Sequence, residues 1–145
     1  MRFVEEKTPE QQAILAVHRT RNLIVKQRTQ TINMLRAQLA EFGITLPQGF
    51  YHALQFAKNS VDGEPLNLPQ DAQEVVLDLC DQLLFLHAKI LRQTRHMTQI
   101  AKREKRVTLL RTIPGVGPIT ASAIVATVGS GEQFKNGREF AAWLG

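Results

Sequence analysis

The sequence has one cysteine, Cys80, so no disulfide can form within the chain. Aromatic residues are equally scarce: seven Phe, one Tyr and one Trp among 145 residues. An apolar core must therefore be largely aliphatic, which suits packed helices better than an aromatic-rich β-sandwich. The start, Met1-Arg2-Phe3-Val4-Glu5-Glu6-Lys7, lacks the apolar stretch of a secretory signal, so the expected compartment is the cytoplasm. Long hydrophobic runs are missing too. The longest uncharged stretch, Thr112 to Gly131, carries four Gly and two Pro, and Pro114 and Pro118 would break a spanning helix, so no membrane partner is expected.

Charge is present in quantity but unevenly. Eighteen Lys and Arg against 13 Asp and Glu give +5, a balance that favours polyanionic partners, nucleic acid first. Residues 1–40 hold seven basic and three acidic side chains, 41–91 two and seven, 92–111 seven and one, and 112–145 two of each. The cations thus form two blocks. One is Arg19, Arg21, Lys26, Arg28 and Arg36; the other is Lys102, Arg103, Lys105, Arg106 and Arg111. The first block points around much of its helix, and solvent exposure is the ordinary role of either cluster taken alone.

Periodicity predicts an all-α fold: long antiparallel helices forming a coiled coil or bundle, followed by a helix-hairpin-helix. Thr8-Pro9-Glu10-Gln11 reads as a capping box with proline in the first turn, and Gly43 as the stop of a helix free of Gly and Pro from Glu10 to Phe42. Its seam is weak: Ile14, Val17, Ile24, Leu35, Leu39 and Phe42, with Arg21 and Arg28 at spacings that want apolar residues, which predicts an exposed middle. A second start lies at Asn67-Leu68-Pro69. Behind it Ala72, Val76, Leu79, Leu83, Leu86, Ile90, Met97 and Ile100 follow four-three steps broken at Gln93, a coiled-coil seam. Leu77, Leu84 and Leu91 widen that stripe and predict self-association. The expected domains are 1–104, a long-helix region with a connector at about 43–68 containing one short helix, and 105–145, the helix-hairpin-helix.

The residues that carry chemistry are Ile113-Pro114-Gly115-Val116-Gly117-Pro118-Ile119-Thr120-Ala121, between a helical stretch at about Lys105 to Thr112 and another from Pro118 to about Val128. Glycines permit a tight turn and leave no side chain in the way, so the N–H groups around Gly115, Val116, Gly117, Ile119 and Thr120 can approach a phosphate. Such contacts position a duplex without reading its sequence. The competing reading is a plain linker between core helices; the five cations from Lys102 to Arg111 weigh against it.

Other chemistry finds little support. His18, His52, His87 and His96 have no ligand partners at zinc spacing, and Cys80 reads as a small core residue. Ser122 has no His or Asp near it in sequence, so packing is its expected role. Asp71, Glu74, Asp78 and Asp81 share one helix face and read as a solvated stripe. No catalytic residue, metal ligand or cofactor site is expected in this chain.

The stretch from Thr112 to Gly131, with Phe134, Arg138, Glu139, Phe140 and Ala142-Trp143-Leu144-Gly145, resembles the C-terminal domain of DEDD-type insertion-sequence transposases, the one-ten and eleven-eleven group. Arg2-Phe3-Val4, Gln11-Gln12, His18-Arg19-Thr20-Arg21, Arg28-Thr29, Asn33, Arg36 and Leu39-Ala40-Glu41-Phe42-Gly43 resemble the family segment leading into its coiled coil. The resemblance implies a parent that uses an Asp-Glu-Asp-Asp set to hold divalent metal such as Mg, together with a serine nucleophile. It also implies that this chain begins after the first and stops before the second. DNA, an element-encoded guide RNA and further copies of the chain are the implied partners, in a bacterial, nucleoid-associated setting. A stand-alone helix-hairpin-helix protein binding DNA junctions in repair remains the alternative.

Overall fold

A computed structural model describes residues 6–144; Arg2-Phe3-Val4 and Gly145, which contribute to the resemblance above, lie outside the described residues. The described chain is all-α, with no strand. Its helices are α1 (Pro9–Glu41), α2 (Phe50–Val61), α3 (Gln70–Arg103), α4 (Lys105–Leu110), α5 (Pro118–Val128) and α6 (Gly137–Leu144). No described helix is long and apolar enough to cross a membrane. The chain divides into two compact units: a central one, Thr20–Gln93, and a terminal one formed by the chain up to Arg19 together with Thr94 onward.

Local signals set the helix ends. The Thr8 N–H donates to Gln11 Oε1 at 2.8 Å and the Gln11 N–H to Thr8 Oγ1 at 3.2 Å, the two halves of a capping box. At the far end Gly43 takes φ +73°, which only glycine adopts cheaply. There the Gly43 N–H bonds Ala40 O and the Ile44 N–H bonds Leu39 O, a Schellman closure.

In the central unit α1 and α3 pack antiparallel. Ile24 meets Leu86 and Ile90, whereas Ile32, Leu35 and Leu39 share a cluster with Val76, Cys80 and Leu83, so numbers rise along one helix as they fall along the other. Helix α2 closes this cluster with Ala53 and Ala57. It is the short helix expected within the connector. The α3 seam is as read at Val76, Leu83, Leu86, Ile90 and Met97, all buried, but Cys80 rather than Leu79 is fully buried.

The weak α1 seam needs correction. Ile24 and Ile32 are both buried in the stretch expected to be exposed, and Ile32 was not among the seam residues; Phe42 was, yet it is 43% exposed because α1 ends at Glu41. Arg28 and Arg36 are half-buried beside this core, and although the Nε of each is buried without a hydrogen bond, other atoms of each head find partners. The Arg28 guanidinium lies 5.0 Å over the Phe50 ring. Arg36 Nη2 donates to Pro47 O and Gly49 O, each at 2.9 Å, pinning the chain ahead of α2.

Two outcomes follow. Leu39→Ala should cost about 2–5 kcal/mol in denaturant unfolding, whereas Leu23→Ala, at a 55% exposed site, should change stability by less than about 0.5 kcal/mol. Burial, opposed by a hydrogen bond from Ser60, pushes the Cys80 thiol up from 9.0 to about 11. The folded state therefore holds this proton more tightly than the unfolded chain. Its contribution is complete below pH 9 and is lost as pH rises through about 11, so Cys80→Ala should flatten the alkaline fall in stability over that range.

Candidate nucleic-acid interface

In the terminal unit α4 and α5 are joined by the glycine-containing turn and pack over one small core. Ala101, Val107 and Ala121 are buried together, with Leu110, Val116 and Val125 against them. Glu104 interrupts the helical run between α3 and α4 and caps α4: its carboxylate accepts the Arg106 N–H at 3.2 Å. Arg106 Nε returns to Glu104 Oε1 at 3.0 Å, and Nη1 donates to Gly129 O at the end of α5. These bonds hold the Glu104 carboxyl below its usual range.

The turn assigns its two glycines different tasks. Gly115 has φ +85°, so it supplies the left-handed step. Gly117 has φ −80° and caps α5, with open space where a Cβ would stand. Pro118 opens the helix, and the first bond back to the cap is from the Ala121 N–H to Gly117 O at 2.9 Å. The Ile119 and Thr120 N–H groups precede that bond and are the helix-start donors a phosphate could accept from. Val116 packs its half-buried side chain into the small core and so anchors the loop between the two glycines.

The expected cations fall into both units. Arg19, Lys102, Arg103, Lys105, Arg106 and Arg111 belong to the terminal unit and are exposed. Arg21, Lys26, Arg28 and Arg36 belong to the central unit, where Lys26 is exposed and the other three are half-buried. Arg28, Arg36 and Arg106 carry the structural contacts described above. Two further groups escaped the sequence reading. Arg95 and His96 are exposed and share a face of α3 with Lys102 and Arg103, opposite the buried Met97 and Ala101; helical spacing was the signal that could have found them.

The other surprise concerns Ser122, whose Oγ lies 2.9 Å from His18 Nε2, a residue 104 positions away. Ser122 is buried and its hydroxyl donates to Ile119 O at 3.1 Å. Which atom donates between Nε2 and Oγ is set by the imidazole tautomer. This contact fastens α1 to α5 within the terminal unit. Asp71, Glu74, Asp78 and Asp81 are all exposed on α3. Among the described residues no group of His, Cys, Asp and Glu is gathered so as to hold a metal ion, so the residues present do not suit the divalent metal implied by the resemblance.

Comparison with known proteins shows a consistent likeness. Residues 107–145 match the profile of the transposase IS116/IS110/IS902 family. Over its whole length the chain is 38% identical to a probable family 20 transposase of Pseudomonas aeruginosa, covering 43% of that protein. It is also 34% identical to the transposase for insertion sequence element IS1111A of Coxiella burnetii, covering 40% of it. Over its whole length the chain is thus similar to insertion-sequence transposases. A third such relative, the transposase for insertion sequence element IS1328 of Yersinia enterocolitica, is 32% identical, with 42% of its length covered. The chain thus spans about two fifths of the length of these curated transposases, and no solved structure matches it.

Removing the hydroxyl in Ser122→Ala leaves the His18 ring nitrogen without that partner in a part-buried setting. We expect a loss of about 1–3 kcal/mol in urea unfolding, against less than about 0.5 kcal/mol for the exposed Thr120→Ala on the same helix.

Proposed function

We propose that this chain is the part of an insertion-sequence transposase that grips nucleic-acid backbone without reading its sequence and joins copies of the protein through its long helices. The observation that carries this reading is the opening of α5: helix-start N–H groups at Ile119 and Thr120, behind a side-chain-free Gly117, in a unit whose α3 end and α4 expose Lys102, Arg103, Lys105 and Arg111. Two helices joined by such a turn form a helix-hairpin-helix, whose task is to seat one phosphate while neighbouring cations hold others. DNA is the substrate that the family names point to; guide RNA would offer the same backbone chemistry. The long alignment with transposases favours this reading over a stand-alone junction-binding protein.

Association rests on the half-buried Leu77 and the exposed Leu91 along α3, apolar surface that a second copy would cover, whereas Leu84 of the same row packs against the chain's own core. Cutting and rejoining are assigned to no residue of this chain.

Binding to duplex DNA should weaken steeply with salt and hardly change with sequence. Gly117→Val tests the mechanism directly, because its φ is ordinary and the Cβ space is open, so the fold is kept while backbone approach is blocked. We expect at least a roughly tenfold loss of affinity in fluorescence anisotropy at low salt, about 1.4 kcal/mol. Unchanged affinity in a folded Gly117→Val protein would place the phosphate elsewhere.

A further inference from the structure

The terminal unit carries a groove of about 760 Å³ beside the α4–α5 pair, floored by Ile14, Val107, Val125, Ala126, Phe134 and Trp143. Every described acidic side chain of this unit lines it: Glu6, Glu10, Glu104, Glu132 and Glu139. Among the unit's described lysines and arginines, only Lys7 and Arg106 do so, and Arg106 is paired with Glu104. A unit rich in cations has thus collected its negative charge around one apolar surface. Such a rim repels the polyanion that the rest of the unit attracts.

We propose that this groove is a docking site for a partner protein that presents an apolar side chain flanked by lysine or arginine. The inference goes beyond the backbone-binding role. Floor and rim select the occupant together: the aliphatic and aromatic floor takes an apolar side chain, and the glutamates take the flanking cations. A bare polycation would leave the floor uncovered, and an apolar segment with acidic flanks would meet like charge. Of the unit's other described cations, Lys102, Arg103, Lys105 and Arg111 stand at the end of α3 and around α4 and belong to the proposed phosphate surface, while Arg19, Arg95, Lys135 and Arg138 do not line the groove.

Trp143, the only tryptophan of the chain, lines the groove and is 51% exposed, so it reports occupancy directly. The test titrates the full chain with a short amphipathic Leu/Lys peptide, its Leu/Glu counterpart and spermidine, reading Trp143 emission. A saturable blue shift is expected with the Leu/Lys peptide alone. It should weaken about three- to tenfold in the double variant Glu10→Gln, Glu132→Gln. Glu104 and Glu139 are left intact because they accept backbone hydrogen bonds near the starts of α4 and α6. Circular dichroism checks that the variant is folded, and its DNA affinity should be no lower than that of the parent, which separates this inference from the phosphate reading. No shift, an equal response to the Leu/Glu peptide or to spermidine, an undiminished response in the folded variant, or a shift produced by raising protein concentration alone would each overturn the proposal.

Discussion

One aliphatic stripe along α3 is the constraint on which the rest depends. Val76, Cys80, Leu83, Leu86 and Ile90 bury it in the central unit, and Met97 and Ala101 continue it in the terminal one. Because these residues recur at three- and four-residue steps, with one seven-residue step across Gln93, they fix which face of a 34-residue helix turns inward. The polar faces are then determined as well. The early turns expose Asp71, Glu74, Asp78 and Asp81, and the late turns expose Arg95, His96, Lys102 and Arg103.

Much of this was legible because it is local chemistry. The Thr8 to Gln11 capping box, the Gly43 stop and the Pro118 start depend on residues a few positions apart, and each stands where the sequence placed it. The α3 seam was legible because helical periodicity is insensitive to the partner. What failed depended on contacts from afar. Arg28 looked like a flaw in a seam because the Phe50 ring that receives it belongs to α2, and the Pro47 and Gly49 carbonyls that receive Arg36 belong to the connector. That mismatch in turn hid Ile32. The His18–Ser122 bond spans 104 residues and has no local signature.

The terminal unit brings these threads to function. Glu104 ends α3, caps α4 and holds Arg106, which in turn reaches the end of α5, so one carboxylate organises the frame around the glycine turn. The turn's donors and the exposed cations of α3 and α4 are one group of features of this unit, and the glutamate-rimmed groove is another. On the proposed reading this partition divides labour within the unit, the cations of α3 and α4 holding nucleic acid and the acidic rim left for protein.

That partition is tested most directly by following backbone amide ¹H–¹⁵N shifts while duplex DNA is added at low salt. The account predicts the largest changes at Ile119 and Thr120, extending to Lys102, Lys105 and Arg111, with Ser130 and Glu132 on the groove unmoved. Shifts centred on Ser130 and Glu132, with the opening of α5 unaffected, would contradict it.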